Sequence, residues 1–373
     1  MQKDVLDFLT LSLANGLGCR GANRLLELYS SPESILAAPS AELAAHGIPE
    51  STVNSLQSVE NRRRAELELG KCLQSSIRLL PRDDPEYPKL LNEIYDPPII
   101  LFVKGDVKCL NTPAVAIVGS RRATPYGINA AEKLARELAS RGVMICSGLA
   151  RGIDTAAHRG AMEADGMTAA VLGSGLDFIY PKENKRLAQQ IERRGCLISE
   201  FPLSTGPVPQ NFPIRNRIIS GLCLGTCLVE AAEYSGSLIT ARMALEQGRE
   251  VFAVPGNITS INSFGPNLWI KQGAKLVQNW QDVVEEFPRA LKEMIFFNQE
   301  QERGPNQRSL VTDLFTVTET AVLKWVPEDK AIHIDRLLEL TRMNSAELLS
   351  TLLELEMKDK IKQLPGKCFL RKY

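Results

Sequence analysis

Ala114-Val115-Ala116-Ile117-Val118, followed by Gly119-Ser120-Arg121-Arg122-Ala123-Thr124-Pro125-Tyr126-Gly127 and then by Ile128–Ser140, is the stretch that decides the fold. An uncharged apolar run fits a strand buried on both faces, and a glycine-containing turn leads from it into apolar positions at helical spacing. The unit recurs. Apolar runs at Val143–Ser147, Thr168–Leu172, Cys196–Ser199, Thr226–Val229, Glu250–Val254 and Lys275–Val277 alternate with helical patterns at Thr155–Ala164, Lys185–Arg194, Ile214–Ser220 and Leu238–Gln247. Alternation of this kind predicts an α/β fold with a mostly parallel, doubly wound sheet.

Ligands of such sheets bind outside the carboxyl ends of the strands, so the segment after each run is a candidate site. These segments are Gly119–Gly127, Ser147–Asp154, Gly173–Asn184, Pro213–Arg217, Glu230–Thr240 and Pro255–Asn257. Glycine, hydroxyl and cation dominate them, with Arg121, Arg122, Arg151, Lys182, Arg215 and Arg217 concentrating positive charge. Arg215 and Arg217 flank Asn216 where a proline-rich loop turns into a helix, and Ser235-Gly236-Ser237-Leu238-Ile239-Thr240 opens the next one. Guanidinium forks and unpaired N–H groups at a helix start are what a polyanion requires. Arg215 and Arg217 are therefore candidates for phosphate or local carboxylate contacts, and Asn216 for a base or the main chain. Phe178 and Tyr180 share a loop with Lys182, which makes them candidates for base stacking.

Other chemistries fit less well. The first turn lacks GxGxxG, no acid ends the second strand, and no glycine-lysine-Ser/Thr follows any strand, so neither a dinucleotide nor a Walker A nucleotide is expected. Asp154 and His158 lie one helical turn apart, as an acid/base pair would, but Asp154 at a helix start also reads as a cap or local hydrogen-bond acceptor. Glu230 and Glu233 could be a catalytic acid pair or carboxylates ordering Arg215 or Arg217. Trp269 reads as core or subunit-interface packing in preference to a stacking platform.

Composition bounds the rest. The 373 residues call for two or three domains, and 44% hydrophobic with 24% charged residues describes a globular chain. Lys+Arg and Asp+Glu both number 44, so any anion affinity must come from local clustering. Eight scattered cysteines, mostly in apolar runs, read as reduced thiols of a cytoplasmic protein, and Cys223 and Cys227 lack the further ligands of a zinc site. No metal or cofactor is expected. No signal peptide and no membrane span are expected either.

Upstream, residues from about 4 to 72 read as short helices, with Asn15-Gly16-Leu17-Gly18 open to two readings: an ordinary tight turn, or a helix-hairpin-helix turn aided by Arg20 and Arg24. Downstream, the polar Phe297–Ser309 reads as a linker. Helical patterns at Glu319–Val326, Ile334–Thr341 and Ser345–Lys358, with a hairpin over Ile361–Leu370, predict a winged helix. Its recognition-helix candidate, Ser345–Lys358, carries Glu347, Glu354 and Glu356 and no base before Lys358, which would repel a DNA groove. Protein contacts, or weak DNA contacts through Lys360, Lys362, Lys367, Arg371 and Lys372, are the expectation.

The segments EYPKLLNEIYDPPIILFVKGD, AIVGSRRATPYG, SGLARGIDTAAHRGAM, LGSGLDFIYPKEN, ISEFPLSTGPVPQNFPIRNRIISGL, VEAAEYSGSLITARMALEQGREVFAVPGN and GPNLWIKQGAKLV, in this order, resemble the DprA/Smf family of bacterial DNA-processing proteins. The resemblance implies residues 1–75 as a helical domain similar to a sterile alpha motif, 76–290 as an extended Rossmann-like DNA-binding domain, 291–308 as a linker and 309–373 as a winged helix. It implies a non-enzymatic protein that binds single-stranded DNA, forms a homodimer, and loads the recombinase RecA during natural transformation. By that resemblance Arg121 and Lys182 hold strand phosphates, with Gly119, Ser120, Arg122, Gly148, Phe178, Arg215, Asn216, Arg217, Ser235, Gly236, Ser237 and Thr240 around them. It places the dimer contact at Asn267, Trp269, Ile270 and Leu276, with Trp269 standing where the family usually has leucine. The alternative is an enzyme, a nucleotide phosphoribohydrolase of the lysine-decarboxylase-like type, using Glu230 or Glu233 beside Ser235-Gly236-Ser237; its Pro-Gly-Gly-x-Gly-Thr loop is absent.

Overall fold

The computed structural model describes residues 2–302, 317–327, 330–341, 343–358 and 360–371. Strands β1 (Arg78–Pro81), β2 (Ile100–Gly105), β3 (Ala114–Val118), β4 (Met144–Ser147), β5 (Thr168–Val171), β6 (Cys196–Ser199), β7 (Gly225–Leu228), β8 (Glu250–Ala253) and β9 (Lys275–Leu276) form one sheet in the order β1-β2-β6-β5-β4-β3-β7-β8-β9. From β6 to β9 every pairing is parallel. The doubly wound expectation is met there. Beyond it, β2 pairs antiparallel with β6 and β1 antiparallel with β2, so an antiparallel pair extends one edge.

Alternation along β3 shows how the sheet is covered. Ala114, Ala116 and Val118 face one apolar cluster, while Val115 and Ile117 face another. Helices α8 (Pro125–Ala139) and α9 (Ile153–Glu163) cover the second face, and α11 (Asn211–Gly221) packs on the first. The remaining helices of this region are α7 (Lys89–Asn92), α10 (Lys185–Arg194), α12 (Gly236–Glu246), α13 (Phe264–Lys271), α14 (Trp280–Val284) and α15 (Arg289–Glu302). The last one corrects the linker: residues 291–302 are helical despite their polarity, and 303–308 lie outside the described residues.

Six helices precede the sheet: α1 (Gln2–Ser12), α2 (Gly18–Leu28), α3 (Pro32–Ala37), α4 (Ser40–Ala45), α5 (Glu50–Leu56) and α6 (Val59–Gln74). They do not form a detached unit. Leu9, Leu25 and Leu56 share one apolar cluster with Phe102 of β2, Leu197 of β6 and Leu203. Polar ties cross the same seam: the Asn23 side chain donates to the Pro97 carbonyl at 2.8 Å, and the buried Glu68 carboxylate accepts from the Leu203 N–H. In the glycine turn between α1 and α2, Gly16 and Gly18 have φ of +79° and +63°, as a tight turn requires. Arg20 leans on Tyr95 and pairs with Asp96 at 3.6 Å.

The winged helix comprises α16 (Val317–Leu323), β10 (Ile332–His333), α17 (Ile334–Thr341), α18 (Ser345–Met357), β11 (Ile361–Leu364) and β12 (Cys368–Arg371), with strand order β10-β12-β11. Leu337, Leu348, Leu352, Leu355 and Phe369 fill its core. Residues 309–316 and Lys372 lie outside the described residues.

Candidate nucleic-acid interface

The strand order reverses between β3 and β7, and a cleft of about 920 Å³ opens above that point. One tight connection sets its floor. The Ser120 N–H donates to the Glu230 carbonyl at 2.7 Å, tying the turn after β3 to the end of β7. Thr124 caps α8 and accepts from the Gly127 N–H at 3.2 Å. The buried Glu230 carboxylate in turn accepts from the Thr124 N–H at 2.8 Å and from the Thr124 hydroxyl. Glu230 is thus consumed in pinning a helix start. It neither orders an arginine nor pairs with Glu233, which stands exposed on the cleft wall.

The cations divide by environment. Arg121 and Arg122 are exposed at the cleft mouth, and neither forms an ion pair among the described residues. The Arg121 guanidinium lies over the Phe212 ring at 5.2 Å, and Phe212 and Tyr180 lie with centroids 5.9 Å apart at 47°. Together they make a cationic, aromatic ledge, which a smaller side pocket of about 180 Å³ continues past Gly148 and Pro181. Lys182 is exposed just beyond that ledge, outside the lining itself, and Arg151 beside it is held by Glu183. On the far wall, α12 begins with Ser235 as N-cap, its hydroxyl 2.8 Å from that of Ser237. Ser235, Gly236, Ser237 and Thr240 all line the cleft, as do Gly119 and Ser120.

The Arg-Asn-Arg segment has to be corrected. Arg215 is buried, and its Nη1 donates to the Gly148 carbonyl at 2.7 Å and to that of Val171. It braces the ends of β4 and β5 from beneath, and its guanidinium reaches the cleft only as part of the floor. Burial pulls its pKa down to about 10, so it stays charged at neutral pH. A Cβ on Gly148 would come within 2.5 Å of that guanidinium, so glycine is the residue this packing admits. Asp154 lies under the same floor and accepts from the Gly148 and Ala150 N–H groups at 3.1 and 3.3 Å; burial raises its pKa against the pull of Arg215. Arg217 turns away altogether, to Glu200 and, at 3.6 Å, to Asp96. For Arg217 the carboxylate alternative holds, and for Arg215 the partner is main chain. Only Asn216, half-buried on the wall, faces the cleft as the binding reading needs.

Asp154 and His158 form no acid/base pair. His158 is fully buried, its Nδ1 sits 2.7 Å from the Thr168 hydroxyl, and burial lowers its pKa to about 3. Phe178 is 40% exposed but stands outside the cleft lining. Phe212, in the first turn of α11 between Pro209 and Pro213, joins the site although no sequence reading pointed to it, the signal being an aromatic ring three residues before Arg215; Tyr234, Ile261 and Asn262 also line the cleft. Of the dimer candidates, Asn267 grips the Gly256 main chain at 3.2 and 3.0 Å, and Trp269 packs inwards beside Ala241 and Ala244. Ile270 is half-buried and Leu276 is 40% exposed.

Among the described residues no His/Cys/Asp/Glu cluster could hold a metal, and no helix is long and apolar enough to cross a membrane. Residues 78–288 match the family described as DNA recombination-mediator protein A, and residues 318–367 match the DprA winged helix domain. The chain is 40% identical to protein Smf of Escherichia coli over 81% of its own length and 80% of that protein. To DNA processing protein DprA of Streptococcus pneumoniae it is 48% identical over 55% of this chain and 72% of that one. The solved structure of DprA from Streptococcus pneumoniae superposes with a TM-score of 0.66 at 39% identity, covering 75% of this chain and 96% of that chain. That of DNA processing protein A from Helicobacter pylori, a protein with a single-stranded DNA binding mode, gives 0.51 at 32%, covering 60% and 96%. On the match to its sheet domain and the extent of its identity to Smf, the chain belongs to the DprA/Smf family.

Proposed function

We propose that this protein binds single-stranded DNA along the carboxyl edge of its sheet, as a homodimer, and hands the strand to RecA. The observation that carries the reading is the pairing of unneutralised Arg121 and Arg122 with the Phe212–Tyr180 ledge over the switch-point cleft. Cations position phosphates without reading sequence, and exposed rings stack on bases that a duplex keeps hidden. The α12 N-terminus adds a further anion-favouring wall. The single-stranded DNA binding mode of the Helicobacter pylori relative supports the ligand.

The test is fluorescence anisotropy with labelled oligothymidine. Arg121→Ala and Lys182→Ala are expected to weaken binding about tenfold each (roughly 1.4 kcal/mol), alike for every sequence. Each is also expected to lower the slope of log affinity against log salt by about 0.7. Unchanged affinity in both variants overturns the assignment. In this reading the protein holds DNA without catalysis; of the alternative's two acids, Glu230 is already engaged by Thr124, which leaves Glu233 on the cleft wall as the one it would need. Release of free base from a nucleoside monophosphate would restore the phosphoribohydrolase alternative.

A further inference from the structure

Helix α18 buries Leu348, Thr351, Leu352 and Leu355 in the winged-helix core. Its other side is not polar. Leu349, Leu353 and Met357, each four residues from the next, are 53%, 60% and 81% exposed and run in one line along the helix, as residues at that spacing do. Ala346, also exposed, falls on the same arc. At 100° per residue this arc is bordered by Glu347 and Glu354 on one side and by Glu356 on the other.

We propose that this face of α18 docks a basic amphipathic helix of a partner protein. The apolar line calls for apolar side chains at matching helical spacing, and the two glutamate borders call for lysine or arginine beside them. The charge pattern rejects other occupants. Nucleic-acid phosphates and anionic lipid headgroups meet three glutamates on the helix that a winged helix ordinarily offers to a groove. A second copy of α18 sets glutamate against glutamate. The inference stands apart from the cleft, since none of these residues lines it.

The experiment uses the full chain and a fluorescein-labelled short peptide of leucine and lysine, with leucines at i, i+3 and i+4 spacing, and a companion with glutamate in place of lysine. The lysine peptide is expected to bind and the glutamate peptide not. Combined Leu349→Ser and Leu353→Ser, both at exposed positions, should weaken binding at least about tenfold (roughly 1.4 kcal/mol) while oligothymidine affinity is unchanged. Glu347→Lys with Glu354→Lys should shift preference towards the glutamate peptide. Failure of the lysine peptide to bind, equal binding by the serine variant, or a serine variant that changes only the sedimentation of the protein would each overturn the proposal.

Discussion

Two arginines show how burial, more than residue type, assigns a task. Arg121 is exposed with its guanidinium over the Phe212 ring, so Arg121→Ala should change stability by less than about 1 kcal/mol, the size of an exposed cation–π contact. Arg215 is buried under the cleft, and Arg215→Ala leaves the Gly148 and Val171 carbonyls without their donor and removes the stronger of the two cations acting on the buried Asp154 carboxylate. Loss of one partner from such a buried arrangement costs about 3–5 kcal/mol, which urea unfolding would read directly. His158 supplies a pH signature. Its folded pKa lies at about 3, below the ordinary 6.5, so the unfolded chain takes up the proton first as pH falls. The stability is fully present above about pH 6.5 and is lost progressively towards pH 3. In a wild-type versus His158→Gln comparison, the loss specific to wild type should grow by up to about 1.4 kcal/mol per pH unit.

At the scale of elements, β9 is the last strand of the sheet among the described residues and carries Leu276, 40% exposed. A free edge with an apolar residue invites a second strand. If the proposed homodimer forms through this edge, Leu276→Glu shifts it to monomer in sedimentation velocity, with no change for Phe178→Ala, which lies outside the cleft and this edge. The parallel strands were legible to within a residue because β3 to β7 are short, fully buried apolar runs, and β8 and β9 follow them at the same strand-helix spacing. The antiparallel pair was not. Arg78–Pro81 is brief and ends in proline, and β2 finds its partner β6 only far along the chain, a pairing no local pattern records. Helix α15 was hidden for a different reason: its apolar Ile295 packs against the sheet domain while its later residues, read alone, look like a linker. In the cleft, loops after strands were found by topology alone, but whether Arg215 or Arg217 points out or in depends on acceptors at Gly148, Val171, Glu200 and Asp96. Those come from four separate segments.

For the whole molecule, a net charge of zero leaves no global pull on a polyanion, so attraction comes from local clusters such as the cleft mouth and fades within a Debye length. The two ends of the chain differ in how they depend on the middle. Deleting residues 309–373 removes a unit with its own core, and should leave the melting of the remainder intact and oligothymidine affinity within about tenfold (roughly 1.4 kcal/mol). Deleting residues 1–75 strips the cover from Phe102, Leu197 and Leu203 and should yield aggregated protein in size-exclusion chromatography. The shared core also sets a timetable for birth on the ribosome. The first six helices emerge well before Leu197 and Leu203, which complete their apolar floor. At about 5–20 residues per second, that gap lasts on the order of ten seconds. Through it the nascent helices wait with one greasy side uncovered, which makes this the interval in which a chaperone has most to offer the chain.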